Sequence, residues 1–203
     1  MGSAEGRAKA AALLRETGAL LEGHFQLASG KHSGVYVEKF RLLERPEHTE
    51  TLCRMIADHF RARRPELVAG PTTGGIIISY EVARLLELRS IFAETADSGR
   101  SFQRGFEVRP GERTLIVDDV LTTGGSVRDV LDAVRTAGGE PVGVGVLVDR
   151  RGAGVEAFAR TPTGKLGGRL AGLPFFACLT LDLPDYEATA CPLCEKGLPL
   201  KVT

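Results

Sequence analysis

Two adjacent carboxylates, Asp118 and Asp119, stand just ahead of a run of small hydroxyl and glycine residues, Thr122-Thr123-Gly124-Gly125-Ser126. Carboxylates accept hydrogen bonds from sugar hydroxyls, and they repel a phosphate. Glycines let the backbone turn sharply and come close to a ligand. If a helix starts at this run, its unpaired N–H groups and the positive end of its dipole favour an anion. Together the two halves suit a pentose 5-phosphate, with its diol on the acids and its ester on the loop. A solvated acid pair followed by an ordinary turn would use the same residue types. The absence of a lysine after the glycines and of a G-x-G-x-x-G pattern sets the string apart from the common nucleotide loops.

A second small-residue loop, Pro71-Thr72-Thr73-Gly74-Gly75, follows Gly70, and its backbone amides would fit a pyrophosphate. A plain strand-to-helix turn is the alternative. A third loop, Ala96–Glu107, is long for a connection in a compact α/β unit. It carries Arg100 and Arg104, so it reads as a basic flap able to close over a diphosphate, or else as a solvated loop with incidental arginines.

These loops need elements to hold them. Leu115, Ile116 and Val117 form a short β-rich run ahead of the acids. Val127, Val130, Leu131 and Val134 recur at helical spacing behind the glycines. Other strand candidates are Glu66–Gly70, Arg89–Glu94, Pro141–Asp149 and Leu173–Leu181. Strands alternating with helices predict an α/β fold with a parallel sheet covered on both faces and ligands at the carboxyl ends of its strands. Helices are expected near Arg7–Leu21 and Pro46–Arg63, with an irregular piece near Leu27–Glu38 and a Gly-rich loop or hairpin over Arg150–Pro174.

The chain has 203 residues, 43% hydrophobic and 26% charged, with 26 acids balanced by 26 bases. That is room for one domain and an appendage. Zero net charge argues against nucleic acid or a membrane surface as a bulk partner. No apolar run approaches the roughly 20 residues of a spanning helix. The first residues lack a secretory signal. A cytoplasmic protein is expected.

With these motifs in place, "VDDVLTTGGS" resembles the phosphoribosyl-diphosphate (PRPP) signature of type I phosphoribosyltransferases. "HFQLASGKHSGVYVE" (His24–Glu38) is similar to the N-terminal element of orotate phosphoribosyltransferases, and "ACPLCEKGLPL" to the tail of a Thermus and Deinococcus subgroup. The resemblance covers nearly the whole chain. It implies the type I fold: an N-terminal helix and hood element (1–45), a core (46–185) and a Cys-containing tail (186–203). It also implies transfer of the phosphoribosyl group from PRPP to orotate, with Asp118, Asp119, Arg100 and Arg104 as catalytic residues. The 5-phosphate would lie on Thr122–Ser126 and the pyrophosphate on Pro71–Gly75. Orotate would contact Ser29, Gly30, Lys31, Tyr36, Thr122 and Arg150. A guanidinium at Arg150 would select an acidic pyrimidine. Mg²⁺ held mainly through PRPP, and a homodimer, are implied too.

The sequence departs from the family where lysines are usual, at Gly74 and Ala28, and Glu94-Thr95 replace a basic pair at the flap. Arg100, Arg104, Lys31 and Lys39 are the cations left to compensate. A purine or xanthine phosphoribosyltransferase, or a PRPP-binding regulator without turnover, are the alternative functions.

Four cysteines remain: Cys53, Cys178, Cys191 and Cys194. Cys191-Pro-Leu-Cys194 has the spacing of a metal knuckle, which needs further ligands. Reduced thiols, a disulfide in the tail, and a metal site completed by Cys178, a histidine or a second subunit stay open, and no metal ligand is assigned.

Overall fold

The structure is a computed structural model that describes residues 4–27, 29–97, 99–150 and 172–203. Helix α1 (Ala4–Glu16) leads into a hairpin of β1 (Leu20–Gln26) and β2 (His32–Val37), a short α2 (Phe40–Leu43) and α3 (Pro46–Arg61). Alternation then begins: β3 (Leu67–Pro71), α4 (Gly74–Leu86), β4 (Arg89–Thr95), β5 (Arg100–Phe102), β6 (Arg113–Leu121), α5 (Gly125–Thr136), β7 (Glu140–Asp149) and β8 (Phe175–Thr180). The tail adds β9 (Asp185–Tyr186), a 3-10 turn at Ala188–Ala190, α6 (Pro192–Glu195) and β10 (Lys201–Val202).

Six strands form the main sheet in the order β5-β4-β3-β6-β7-β8, parallel throughout except for β5. The apolar runs of β3, β6 and β7 are buried on both faces because helices cover both. Leu67, Ala69, Ile116, Val144 and Val146 pack with Val127, Val130 and Leu131 of α5. Val68, Leu115 and Val117 join Leu14 of α1, Ile56 and Phe60 of α3 and Ile78 of α4 in a second core. α3 lies so close to β7 that a Cβ on Gly143 would fall 2.2 Å from Phe60 Cε1, and one on Gly145 would fall 2.5 Å from Ile56 Cγ2.

A smaller sheet of order β10-β1-β2-β9 joins the two ends of the described chain. β1 and β2 are antiparallel, β9 pairs antiparallel with β2, and β10 pairs parallel with β1.

The five expected strands lie at β3, β4, β6, β7 and β8, and α3 matches its helix to within two residues. Two expectations are corrected. The first helix does not run to Leu21: it ends at Glu16, and Gly18 takes φ 62°, which reverses the chain into β1. The piece near Leu27–Glu38 is not irregular throughout, since His32–Val37 is a strand paired on both sides. The flap segment is partly ordered as β5, which pairs with Ala93–Thr95 of β4. Of the Gly-rich stretch Arg150–Pro174, residues 151–171 lie outside the described residues.

Candidate active site

The carboxyl ends of β3 and β6 point the same way, so the loops that follow them meet. Between these loops and the small sheet lies a cavity of about 870 Å³. That is within the range of small-molecule sites, roughly 300–1,000 Å³. Pro71, Thr72 and Thr73 line it from the loop after β3, and Asp118, Asp119, Thr122, Thr123 and Ser126 from β6 and the start of α5. Ser29, Tyr36, Lys39 and Arg150 line the opposite wall.

Asp118 and Asp119 are buried, with 6% and 4% of their surface exposed. The Asp119 N–H donates to Asp118 Oδ1 at 2.8 Å, and the Val120 N–H donates to Asp119 Oδ1 at 2.5 Å. Burial, and after it the neighbouring Asp119 carboxylate, push the Asp118 carboxyl up to about 7. Lys39 Nζ stands 3.0 Å from Asp119 Oδ2. Burial opposes its charge, yet the Asp119 and Asp118 carboxylates outweigh that and hold its ammonium above its usual range.

The helix N-terminus expected after the acids is present. Gly124 caps α5 at φ 78°, in the left-handed region that glycine enters without strain. The opening turn of α5, with the Thr122, Thr123 and Ser126 hydroxyls at the cavity wall, is a site for an anion. Across from it, α4 begins at Gly74. A Cβ on Gly74 would fall 1.9 Å from Asp119 Oδ2, so the space a side chain at this position would need is filled by the acid itself. Lys39 approaches the same carboxylate from the other side.

Arg150 continues from β7, and its Nη2 donates to the Val35 carbonyl at 3.2 Å and to Ser33 Oγ at 3.3 Å. Its Nε is buried without a hydrogen-bond partner among the described residues. Arg150 lines the cavity, and a guanidinium there is a charged donor for an acidic ligand.

Several expected residues stand off the wall. Arg100 Nη1 donates to Thr72 Oγ1 at 2.8 Å and to the Ala93 carbonyl at 3.1 Å, so it braces the loop after β3 rather than facing the cavity. Arg104 forms two 2.8 Å hydrogen bonds with Glu94. Lys31 pairs with Asp185 at 3.2 Å and Glu187 at 3.3 Å. Gly30, Gly74, Gly75, Gly124 and Gly125 shape the loops without lining the cavity. Leu183, Pro184, Asp185 and Thr203 do line it and escaped sequence reasoning. They arrive through β9 and β10, whose partners are more than 150 residues away in the chain, and no local pattern marks them.

A parallel sheet with an acid pair and an anion-binding helix start at the carboxyl ends of its strands, facing a small hood across a cavity that Arg150 also lines, defines a phosphoribosyltransferase of type I architecture. A family model of the phosphoribosyl transferase domain matches residues 41–157. The orotate phosphoribosyltransferase of Pelotomaculum thermopropionicum is 44% identical over 93% of this chain and 92% of its own, and that of Thermotoga petrophila is 44% identical over 92% of each. Among solved structures, the Mycobacterium tuberculosis orotate phosphoribosyltransferase in complex with Fe(III) dicitrate superposes with TM-score 0.67 at 26% identity, covering 87% of this chain and 97% of that one. The enzyme from Aeropyrum pernix gives TM-score 0.61 at 28% identity, over 84% and 93%. The chain belongs to the orotate phosphoribosyltransferase family.

Proposed function

We propose that this protein transfers the 5-phosphoribosyl group of PRPP to orotate, giving orotidine 5′-monophosphate and pyrophosphate in pyrimidine nucleotide synthesis. The observation that carries the reading is the pairing, across one cavity, of the Asp118–Asp119 floor with the Arg150 guanidinium whose Nε has no partner. The first suits a ribose and the second an acidic base. Adenine phosphoribosyltransferases share the fold at 16–18% identity, and an uncharged purine would offer the guanidinium a neutral acceptor without the opposite charge of a carboxylate.

The ribose 5-phosphate sits against the opening turn of α5, held by main-chain N–H groups and the Thr122, Thr123 and Ser126 hydroxyls. Asp118 and Asp119 accept from the ribose hydroxyls and place negative charge beneath a ring that becomes cationic as the C1–diphosphate bond lengthens. The diphosphate rests on the loop Pro71–Gly75, whose shape Arg100 fixes through Thr72. Lys39 supplies the ammonium that a side chain at position 74 cannot. Arg104 completes the charge when the flap swings in. Its pair with Glu94 is exposed and solvent-screened, weak enough to give way to a diphosphate. Orotate stands against Ser29 and Tyr36 with its carboxylate on Arg150. It already carries the nitrogen nucleophile, so no protein base is assigned.

The cavity floor offers carboxylate and hydroxyl oxygens from Asp118, Asp119, Thr72 and Thr73, a donor set that fits a hard cation such as Mg²⁺. When bound through PRPP, Mg²⁺ neutralises the departing diphosphate. The working unit is a homodimer, supported by the apolar face that α4 leaves open, with Ile77 39% and Tyr80 65% exposed beside Phe40 at 44%.

The test is an orotate-dependent absorbance change with PRPP and Mg²⁺, repeated with hypoxanthine and adenine. Turnover of a purine and not of orotate would overturn the reading, and so would PRPP binding without product. Arg150→Ala should raise the KM for orotate by roughly 10- to 100-fold, the equivalent of a charged hydrogen bond of about 1.5–3 kcal/mol, and leave the KM for PRPP nearly unchanged.

A further inference from the structure

Away from the cavity, four side chains from both ends of the described chain converge. His24 lies on β1 and His32 on β2, Cys191 caps α6, and Cys194 lies within α6. One nitrogen or sulfur from each falls within 4.8 Å of all the others. His24 Nε2 is 2.9 Å from His32 Nδ1, 3.6 Å from Cys191 Sγ and 3.7 Å from Cys194 Sγ, and Cys194 Sγ is 3.3 Å from His32 Nδ1. With metal–nitrogen bonds of about 2.05 Å and metal–sulfur bonds of about 2.3 Å, a tetrahedral centre needs edges of about 3.3 Å between nitrogens and about 3.6 Å between nitrogen and sulfur. These four edges lie within about 0.4 Å of those values, and the remaining two within 4.8 Å.

Hydrogen bonding alone does not account for the cluster. The other nitrogen of His24, Nδ1, is 2.9 Å from the Leu198 carbonyl. A carbonyl only accepts, so Nδ1 carries the proton and Nε2 of the neutral ring presents a lone pair to the centre. That single lone pair faces three polar atoms and can accept fully from one. A carbonyl holding the remote nitrogen is also the usual support for a histidine metal ligand.

We propose that His24, His32, Cys191 and Cys194 form a structural Zn²⁺ site that clasps the hairpin β1–β2 to the tail. The ion binds two thiolates and two neutral imidazoles, and the two thiol protons leave to solvent. The charges of the ion and the thiolates then cancel, which suits a centre with three of its four ligand residues buried. All four positions are filled by protein, as in structural rather than catalytic zinc sites. Cys194 is exposed and gives the ion its way in. Soft and borderline ligands of this kind also exclude Mg²⁺, so the centre is distinct from any cation carried by PRPP. It stands apart from the transfer reaction and does not depend on that assignment.

The full-length protein, expressed with zinc in the medium and purified without chelator, should carry one zinc per chain by elemental analysis. Loaded instead with Co²⁺, it should show the visible absorption of a tetrahedral centre together with thiolate-to-cobalt charge transfer. Cys194→Ser should lose that spectrum, and its zinc affinity should fall by more than the roughly 10- to 100-fold typical of an outer-shell change. The wild type keeps the question decidable if the variant does not fold: its thermal midpoint should drop on chelation and return when Zn²⁺ is added back. Failure of the wild type to bind either ion would sink the proposal. So would full zinc occupancy in a Cys191→Ser/Cys194→Ser double variant, or a metal-free protein whose intact mass shows a Cys191–Cys194 disulfide.

Discussion

Asp118 is the residue whose surroundings decide most. Because its carboxyl is pushed up to about 7, it is largely protonated in mildly acidic solution and ionised above neutrality. Charge beneath the ribose ring is needed in the proposed chemistry, so kcat/KM for PRPP should climb with pH up to about 7 and then level off. Asp118→Asn should be slower at every pH and should lack that inflection. Stability runs the other way. A carboxyl with a raised folded pKa contributes fully below its unfolded value near 3.8, and the contribution is lost as pH rises through about 7. Urea titrations at several pH values should therefore show the wild type losing ground to Asp118→Asn between about pH 4 and 7. Its neighbour Asp119 is held in place by what position 74 lacks. Gly74→Ala puts a methyl where Asp119 Oδ2 lies, so the carboxylate must move and turnover should fall, as is expected also of Asp119→Asn. Wild-type turnover in Gly74→Ala would show that the carboxylate is free to move. The missing lysine at 74 was visible in the sequence. That Asp119 itself fills the space was not, because close approach between β6 and α4 is a tertiary fact.

The elements were legible wherever one local period governed them. β3, β6 and β7 each carry a buried apolar run, Leu115–Val117 in β6 and Val142–Val148 in β7, and α5 repeats its apolar residues at helical spacing, because these stretches meet the core. β2 was not legible. "HSGVYV" mixes polar residues with glycine, and its order comes from β1 on one side and β9 on the other. The overlong first helix has a similar cause: Ala19 and Leu20 continue the apolar pattern, and only the left-handed turn at Gly18 breaks it. Two glycines in β7 also carry information that periodicity does not. Gly143→Ala would press a methyl into the Phe60 ring, which is fully buried, and should cost about 1–3 kcal/mol of stability, read as a lower urea midpoint at unchanged slope.

For the molecule as a whole, the open face of α4 gives a direct prediction. Light scattering at micromolar concentration should report a dimeric mass, and an Ile77→Asp/Tyr80→Asp double variant should report a monomer. The cysteine pair was read from its spacing, but its histidine partners lie on strands 162–170 residues away, where no spacing rule reaches. A hood was implied by the family resemblance, but the pairing of its four strands had no local signal, since they are drawn from opposite ends of the described chain. That construction has a consequence for how the protein can change. One wall of the cavity comes from the ends of β3 and β6 and the start of α5 on the large sheet, with Arg150 added from the end of β7, whereas Ser29, Tyr36 and Asp185 reach it from the smaller sheet and its hairpin. On the proposed assignment, acceptor preference can therefore drift, or be redesigned, by exchanging residues near 27–37 and 183–187 together with Arg150. The donor half would stay as an untouched platform for each new nucleobase.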